Sequence, residues 1–244
     1  MTVQSVIREV CSFVGVRPPN GSVFVSSYQD RTAWEFVQLA NEIAQRIAYD
    51  TRDWTALRAL GTFTGDGILA SFPMPANYQR MLLTTNVWRS SNTNAPLSFV
   101  SDPDEWLQKE LQGGYINPIG EWTIFGGEMH VRPILPAGET VKFFYLHSNP
   151  VKLASGGYGN QFLSDADTFP LSERLLKLAM IWQWKCNKGA TYAEDLANYE
   201  DALTKVAGAD KPSPILVGSM PMSSDAHVAY WGPTPPGSTF VGPP

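Results

Sequence analysis

Two groups of carboxylates invite an acid–base reading: Asp102, Asp104 and Glu105, and then Asp165 with Asp167. A pair of carboxyl groups can cleave a glycosidic bond, one giving a proton while the other attacks or activates water. Both groups also have a structural explanation. Asp102 reads as a helix N-cap, with Pro103 at the first helical position and Glu105 three residues past the cap. Asp165 and Asp167 precede Pro170 and an apolar helical run, where anions favour the positive end of the helix dipole. Capping accounts for every one of these carboxylates, so no catalytic residue is assigned to either group.

The other reactive side chains are scattered. His130, His147 and His227 lie far apart and fit no metal-ligand spacing. His130 and His147 fall on expected strands and read as ordinary strand histidines. Cys11 and Cys186 sit inside helical apolar patterns and read as buried, reduced thiols. No G-x-S-x-G elbow is present. Gly156-Gly157-Tyr158-Gly159 lacks the Lys-Ser/Thr of a phosphate loop and reads as a mobile contact loop. The expectation is a chain with no catalytic residue, no metal and no cofactor.

The elements around these residues are segregated by type. Residues 171–206 read as a helix hairpin. Leu171, Leu175, Leu178 and Trp182 share one face, and Leu176, Met180 and Trp184 widen it. Gly189 is placed for a left-handed cap, and Thr191 with Glu194 forms a capping box. Tyr192, Leu196, Tyr199, Leu203 and Val206 supply the second apolar face, and Gly208 is the expected stop. Two helices this apolar need further helix or another subunit to cover them.

The N-terminus offers that cover. Val3, Val6, Ile7, Val10, Cys11 and Val14 recur at helical spacing until Gly15, Pro18 and Pro19 intervene. A second run carries Phe36, Leu39, Ala40, Ile43, Ala44 and Ile47, with Ser27 or Asp30 as its cap. Arg31, Glu35, Glu42 and Arg46 mark its solvated side.

Between the helical ends the period becomes strand-like. Residues 61–72 read as a hairpin turning at Gly65-Asp66-Gly67, and residues 81–88 as a central strand. Trp122 to Phe125, Gly126-Gly127 and Glu128 to Arg132 form the clearest hairpin. Residues 141–147 are apolar on both faces and are expected to be covered on both. One short helix, with Trp106, Leu107 and Leu111, interrupts a region of about six strands. The fold class expected is α+β: a helical bundle from residues 1–58 and 160–207, and an inserted β-rich domain over 59–159. Residues 208–244 form an extended Pro/Gly-rich C-terminal arm. Its Ile215, Leu216, Tyr230, Trp231 and Phe240 are the candidate partner-binding anchors, since such a segment has no core of its own to bury them.

Bulk properties narrow the function. At 244 residues, 43% hydrophobic and 12% aromatic, the chain can bury a full core. A net charge of −5 disfavours a grip on nucleic acid through neutralised phosphates, though not a surface past which DNA slides. Arg8 and Glu9 interrupt the first apolar run, and no run approaches the roughly 20 residues of a membrane span. A cytoplasm-like compartment is expected, with no membrane partner.

The layout and two motifs resemble the head-to-tail adaptor proteins of tailed bacteriophages, also called connector or head-completion proteins, of the short-tailed type. The resemblance rests on W-x-W-K-x-x-K-G-x-x-Y-x-E-D over Trp182 to Asp195 and on the Asp53-Trp54 block within residues 50–57. It extends diffusely over about residues 29–206, with residues 162–167 leading into the helix hairpin. The resemblance implies a structural virion protein forming a homo-oligomeric ring, a dodecamer by expectation, between portal and tail. Such a ring extends the DNA channel, without sequence-specific binding, and helps to retain the packaged genome. It also implies a portal protein and a tail or nozzle protein as partners. The arm anchors are then expected to reach the portal, although a long proline-rich arm departs from a helical extension. The competing readings are a β-domain carbohydrate- or receptor-binding module using Trp88, Trp122 and Tyr115, and a hydrolase using Asp102 and Asp165.

Overall fold

The computed structural model describes residues 1–28, 30–82, 85–112 and 117–210, and within them the chain is mixed α+β. Residues 1–210 form one compact unit. The expected arm, with Ile215, Leu216, Tyr230, Trp231 and Phe240, lies outside the described residues, as do Tyr115 and His227.

Helix α1 (Val3–Val14) is capped at its start by Thr2, whose side chain accepts from the N–H of Ser5, and closed by Gly15 in the left-handed region at φ 72°. After a single turn, α2 (Val23–Ser26), helix α3 (Arg31–Tyr49) starts on Asp30, which accepts from the N–H of Thr32 at 2.9 Å. Helix α5 (Glu173–Asn187) starts on Ser172, two residues past Pro170, and α6 (Ala193–Asp210) follows. The buried faces of α1, α3 and α5 meet in one core, in which Ile7, Val10, Phe36, Ile43, Leu175, Leu176 and Met180 are closed off from solvent. Phe36 of α3 stacks on Trp184 of α5 with centroids 4.0 Å apart.

Helix α5 packs against α1, α3 and α6, and the residues expected only to widen its stripe, Leu176, Met180 and Trp184, are all buried. Helix α6 is an outer layer. Only Ala202 of it is buried, while Leu196, Tyr199, Leu203 and Val206 are half-covered. Two local expectations change here. The helix begins at Ala193, with the Tyr192 carbonyl accepting from Leu196, so Thr191 lies one residue too early to be the cap. Gly208 lies inside the last turn, because Asp210 is held to the body of the chain and carries the helix past it.

The middle contains two four-stranded sheets. In the first, β8 (Thr140–His147) is central, pairing antiparallel with β1 (Arg58–Thr64), β3 (Tyr78–Met81) and β4 (Trp88–Arg89). In the second the order is β2 (Ser71–Pro73), β7 (Glu128–Arg132), β6 (Glu121–Phe125), β5 (Ser98–Phe99), the last pair parallel. The inner faces of both sheets share a core that includes Phe72, Trp122, Met129, Val131, Val141 and Phe143. Leu146, near the end of β8, belongs to the helical core, so this strand runs from one core into the other. Helix α4 (Pro103–Gln112) lies on the second sheet, with Trp106 buried beneath it.

Four strand expectations are corrected. Residues 61–64 and 68–72 are not a hairpin: β1 pairs with β8, and β2 crosses to the other sheet to pair with β7. Phe63 and Phe72 instead stack across the core at 5.3 Å, so packing overrides the turn-forming signal of Gly65-Asp66-Gly67. The single strand expected over 81–88 is two short strands beside β8. Strand β8 is covered on both faces only at Leu146 and His147, since Lys142 and Phe144 face solvent. Gly156 and Gly157, with φ 99° and 79°, form the turn between β9 (Val151–Lys152) and β10 (Tyr158–Gly159) rather than a free loop. The Gly126-Gly127 hairpin is as expected, with Phe125 opposite Glu128 and both glycines at positive φ.

Candidate interaction surfaces

Of the carboxylates considered for hydrolysis, Asp102, Asp165 and Asp167 accept from backbone N–H groups, and Glu105 pairs with Lys109 at 2.9 Å. Asp102 Oδ1 accepts from the N–H of Asp104 at 2.9 Å, the expected cap of α4. Asp165 Oδ1 accepts from Val23 and Phe24 at 3.0 and 3.3 Å and so starts α2. Asp167 is only 1% exposed. Its Oδ2 accepts from Leu163 and Ser164, and its Oδ1 from Ala154. The backbone carbonyls of Asp165 and Asp167 also accept from Gln4 and Val3 in the first turn of α1. Residues 162–167 are thus a clamp that holds the helix starts, with the carboxylates of Asp165 and Asp167 both accepting from backbone N–H groups.

Among the described residues, His130, His147 and Cys11 are held by packing or burial. His130 stacks on Phe125 at 3.7 Å between ring centroids. His147 is buried, its Nδ1 accepts from the N–H of Asn149, and burial holds its pKa below the usual histidine value. Burial pushes the Cys11 thiol up to about 11, so it stays protonated and unreactive. Cys186 is half-buried. Among the described residues no three His, Cys, Asp or Glu side chains are grouped to hold a metal. No described helix is long and apolar enough to cross a membrane.

The motif from Trp182 to Asp195 is a lock between α5 and α6. Lys185 pairs with Asp195 across the hairpin, and Gly189 turns the chain at φ 71°. The Trp182 ring lies 6.4 and 6.3 Å from those of Tyr192 and Tyr199, with Arg46 over it at 5.9 Å. Lys188 pairs with Glu35 of α3 at 2.7 Å and sits over the Trp184 ring. That hydrogen bond holds the Glu35 carboxyl below its ordinary range.

The second motif receives the end of this hairpin. Trp54 is buried and donates its indole N–H to the carbonyl of Ile47 at 2.6 Å. Asp210, the last residue of α6, accepts from both the N–H and the hydroxyl of Thr55. Arg52 bonds the Ala207 carbonyl and approaches Asp210 at 3.4 Å. The sequence reading marked this block but not its partner. The acceptor, Asp210, lies beyond the helix stop that Gly208 suggested, so nothing local pointed to it.

Of the aromatics suggested for a β-domain groove, Trp88 is 40% exposed, Trp122 is buried in the inter-sheet core, and Tyr115 lies outside the described residues. Trp88 borders a shallow groove on the outside of the first sheet with Leu60, Thr85, Asn86, Lys142 and Phe144. Leu60 and Phe144 lie opposite each other in register and stand open to solvent. A second open stripe runs along α4, where Leu107 and Leu111 point away from the protein. No protein-family model and no curated protein matches this chain.

Proposed function

We propose that this chain is a non-enzymatic ring adaptor at the head–tail junction of a tailed bacteriophage. In this reading, copies assemble in the host cytoplasm into a ring on the portal and extend its DNA channel. They help to retain the genome and offer a surface to a tail or nozzle protein. The finer architecture belongs to the same proposal: a helical bundle from both chain ends, an inserted β domain, and an arm after Asp210.

One observation carries the reading. The block at residues 50–57 holds the far end of α6, the helix that the Trp182 to Asp195 motif leads into, with Thr55 and Arg52 bonding its last turn at Asp210 and Ala207. A segment meant to grip a partner transmits force only from a fixed root, and Asp210 gives residues 211–244 such a root. Ile215, Leu216, Tyr230, Trp231 and Phe240 are the proposed portal contacts. The net charge of −5 suits a lumen that guides DNA without binding it tightly.

The test is assembly on the candidate portal by the full chain and by a chain ending at Asp210. Truncation at residue 208 would remove Asp210 and its hold on Thr55, confounding loss of the arm with damage to the body. A truncated chain that binds the portal as well as the full chain would remove the arm from the account. Of the two described aromatics in the carbohydrate reading, Trp88 is exposed and Trp122 is buried, and a glycan screen addresses that reading directly.

A further inference from the structure

Two exposed apolar faces of opposite charge occur on the described part of the chain. The first is the outer face of β1, β8 and β4. Register places Leu60 opposite Phe144, and Lys142 between Thr62 and Trp88. Leu60, Phe144 and Trp88 are 55%, 49% and 40% exposed. The charges at the solvent-facing positions of these three strands are basic, Arg58 and Lys142. Lys142 has no carboxylate partner among the described residues.

The second face is the outside of α4. Asp104, Leu107, Gln108 and Leu111 fall at helical positions i, i+3, i+4 and i+7, one continuous stripe. Leu107 is 53% and Leu111 80% exposed, while Trp106 and Lys109 reach the other way, Lys109 to Glu121 of β6 at 2.8 Å. Asp102 and Asp104 add negative charge at the start of this stripe, with no cationic partner among the described residues.

We infer that α4 of one copy docks on the outer β1–β8–β4 face of a second copy. This rests on the ring reading and names its contact. Leucines one helical turn apart are spaced about 5–6 Å, close to the roughly 7 Å between same-face rows of a strand. Leu107 and Leu111 can therefore seat on the Leu60–Phe144 row and beside Trp88, as an amphipathic helix fills an apolar groove. With Leu111 on the Leu60–Phe144 row and Leu107 in the next row beside Trp88, Asp104 lies past Leu107 on the side of Lys142, while Arg58 stays at the far end of the face. The opposite charges favour this pairing over like-charged pairings of the same faces. The two faces differ, so the contact is heterologous: each copy offers α4 to one neighbour and the sheet to the other, and the series closes into a ring. A nucleic-acid strand is the weaker occupant, since two cations neutralise too few phosphates.

The experiment measures mass by light scattering for the full chain, alone and with the candidate portal, with circular dichroism to check folding. The variants are Leu107→Ser with Leu111→Ser, Phe144→Ser, Lys142→Glu, Asp104→Lys, and the last two combined. The leucine and phenylalanine changes are expected to raise the concentration for half-assembly by at least about tenfold. Each charge reversal weakens assembly, and the combination recovers part of the loss. If the unmodified chain assembles and every variant assembles alike, this contact is wrong while the ring stands. A chain that stays monomeric with and without portal overturns both. Loss of oligonucleotide binding in Phe144→Ser, with assembly unchanged, would give the sheet face to nucleic acid instead.

Discussion

Phe36 and Trp184 stack nearly parallel, 13° between planes and 4.0 Å between centroids, although 148 residues separate them in the chain. The first belongs to the N-terminal helices and the second to the C-terminal hairpin, so this pair reports on whether the chain ends share one core. Truncating either ring, Phe36→Ala or Trp184→Ala, is expected to cost about 3–5 kcal/mol of unfolding free energy. The double variant should cost less than the sum by about 1 kcal/mol, the worth of the stacking itself. Urea titrations of the four proteins measure this, and strict additivity would mean that the rings pack independently.

Asp167 is expected to behave as a structural residue. Asp167→Ala leaves the N–H groups of Ala154, Leu163 and Ser164 without their acceptor, which should cost about 3 kcal/mol in denaturant midpoint analysis. Asp165 is half-buried and caps a single turn, so Asp165→Ala should cost about 1 kcal/mol. If both variants retain full stability, the clamp is not holding the helix starts.

How legible this was from sequence depended on whether the signal was local. Thr2, Asp30 and Ser172 each bond a backbone N–H two or three residues ahead, and a left-handed Gly15 or Gly189 needs no distant partner. The helices and the Gly126-Gly127 hairpin therefore follow from short spacings. The pairing of β1 with β8 does not, because it joins residues about 80 apart and is decided by Phe63 and Phe143 packing beneath it. Gly61 shows the same dependence: a Cβ there would lie 2.4 Å from the Phe143 ring, a requirement visible only once the strands are paired. The apolar sequence around Phe144 suggested burial on both faces, yet Lys142 and Phe144 are exposed on the outer face. The Asp210–Thr55 contact, 155 residues apart, left no trace in local pattern.

Glu139 makes stability acid-sensitive. Its carboxylate takes two bonds from the Arg89 guanidinium, 2.9 and 2.7 Å, and one from the Ser91 hydroxyl. The Arg89 bonds, foremost, hold its pKa below the ordinary glutamate value of 4.5. A depressed carboxylate stabilises the fold above its unfolded pKa, and that contribution is lost as pH falls through the folded value. Arg89→Ala is expected to cost about 3–5 kcal/mol at neutral pH because it strands a buried charge. The paired change Arg89→Met with Glu139→Leu should cost less than Arg89→Ala alone, and thermal melts from pH 6 to pH 3 should flatten in that pair.

His147 acts in a higher window. Burial lowers its folded pKa below 6.5, so the unfolded chain takes up this proton first as pH falls. Stability from neutral His147 is complete above its unfolded pKa and declines as pH drops below about 6.5. The melting temperature should fall between pH 7.5 and pH 5.5, and His147→Gln should reduce that slope. An unchanged slope would place the titrating group elsewhere.

The central claim is that this chain caps a portal as a ring, gripping it through residues 211–244. The most direct measurement is the mass of the complex formed with the candidate portal by the full chain and by the chain ending at Asp210. The account predicts a ring-sized increment on the portal for the full chain and a weakened one without the arm. A full chain that leaves the portal's mass unchanged would contradict it.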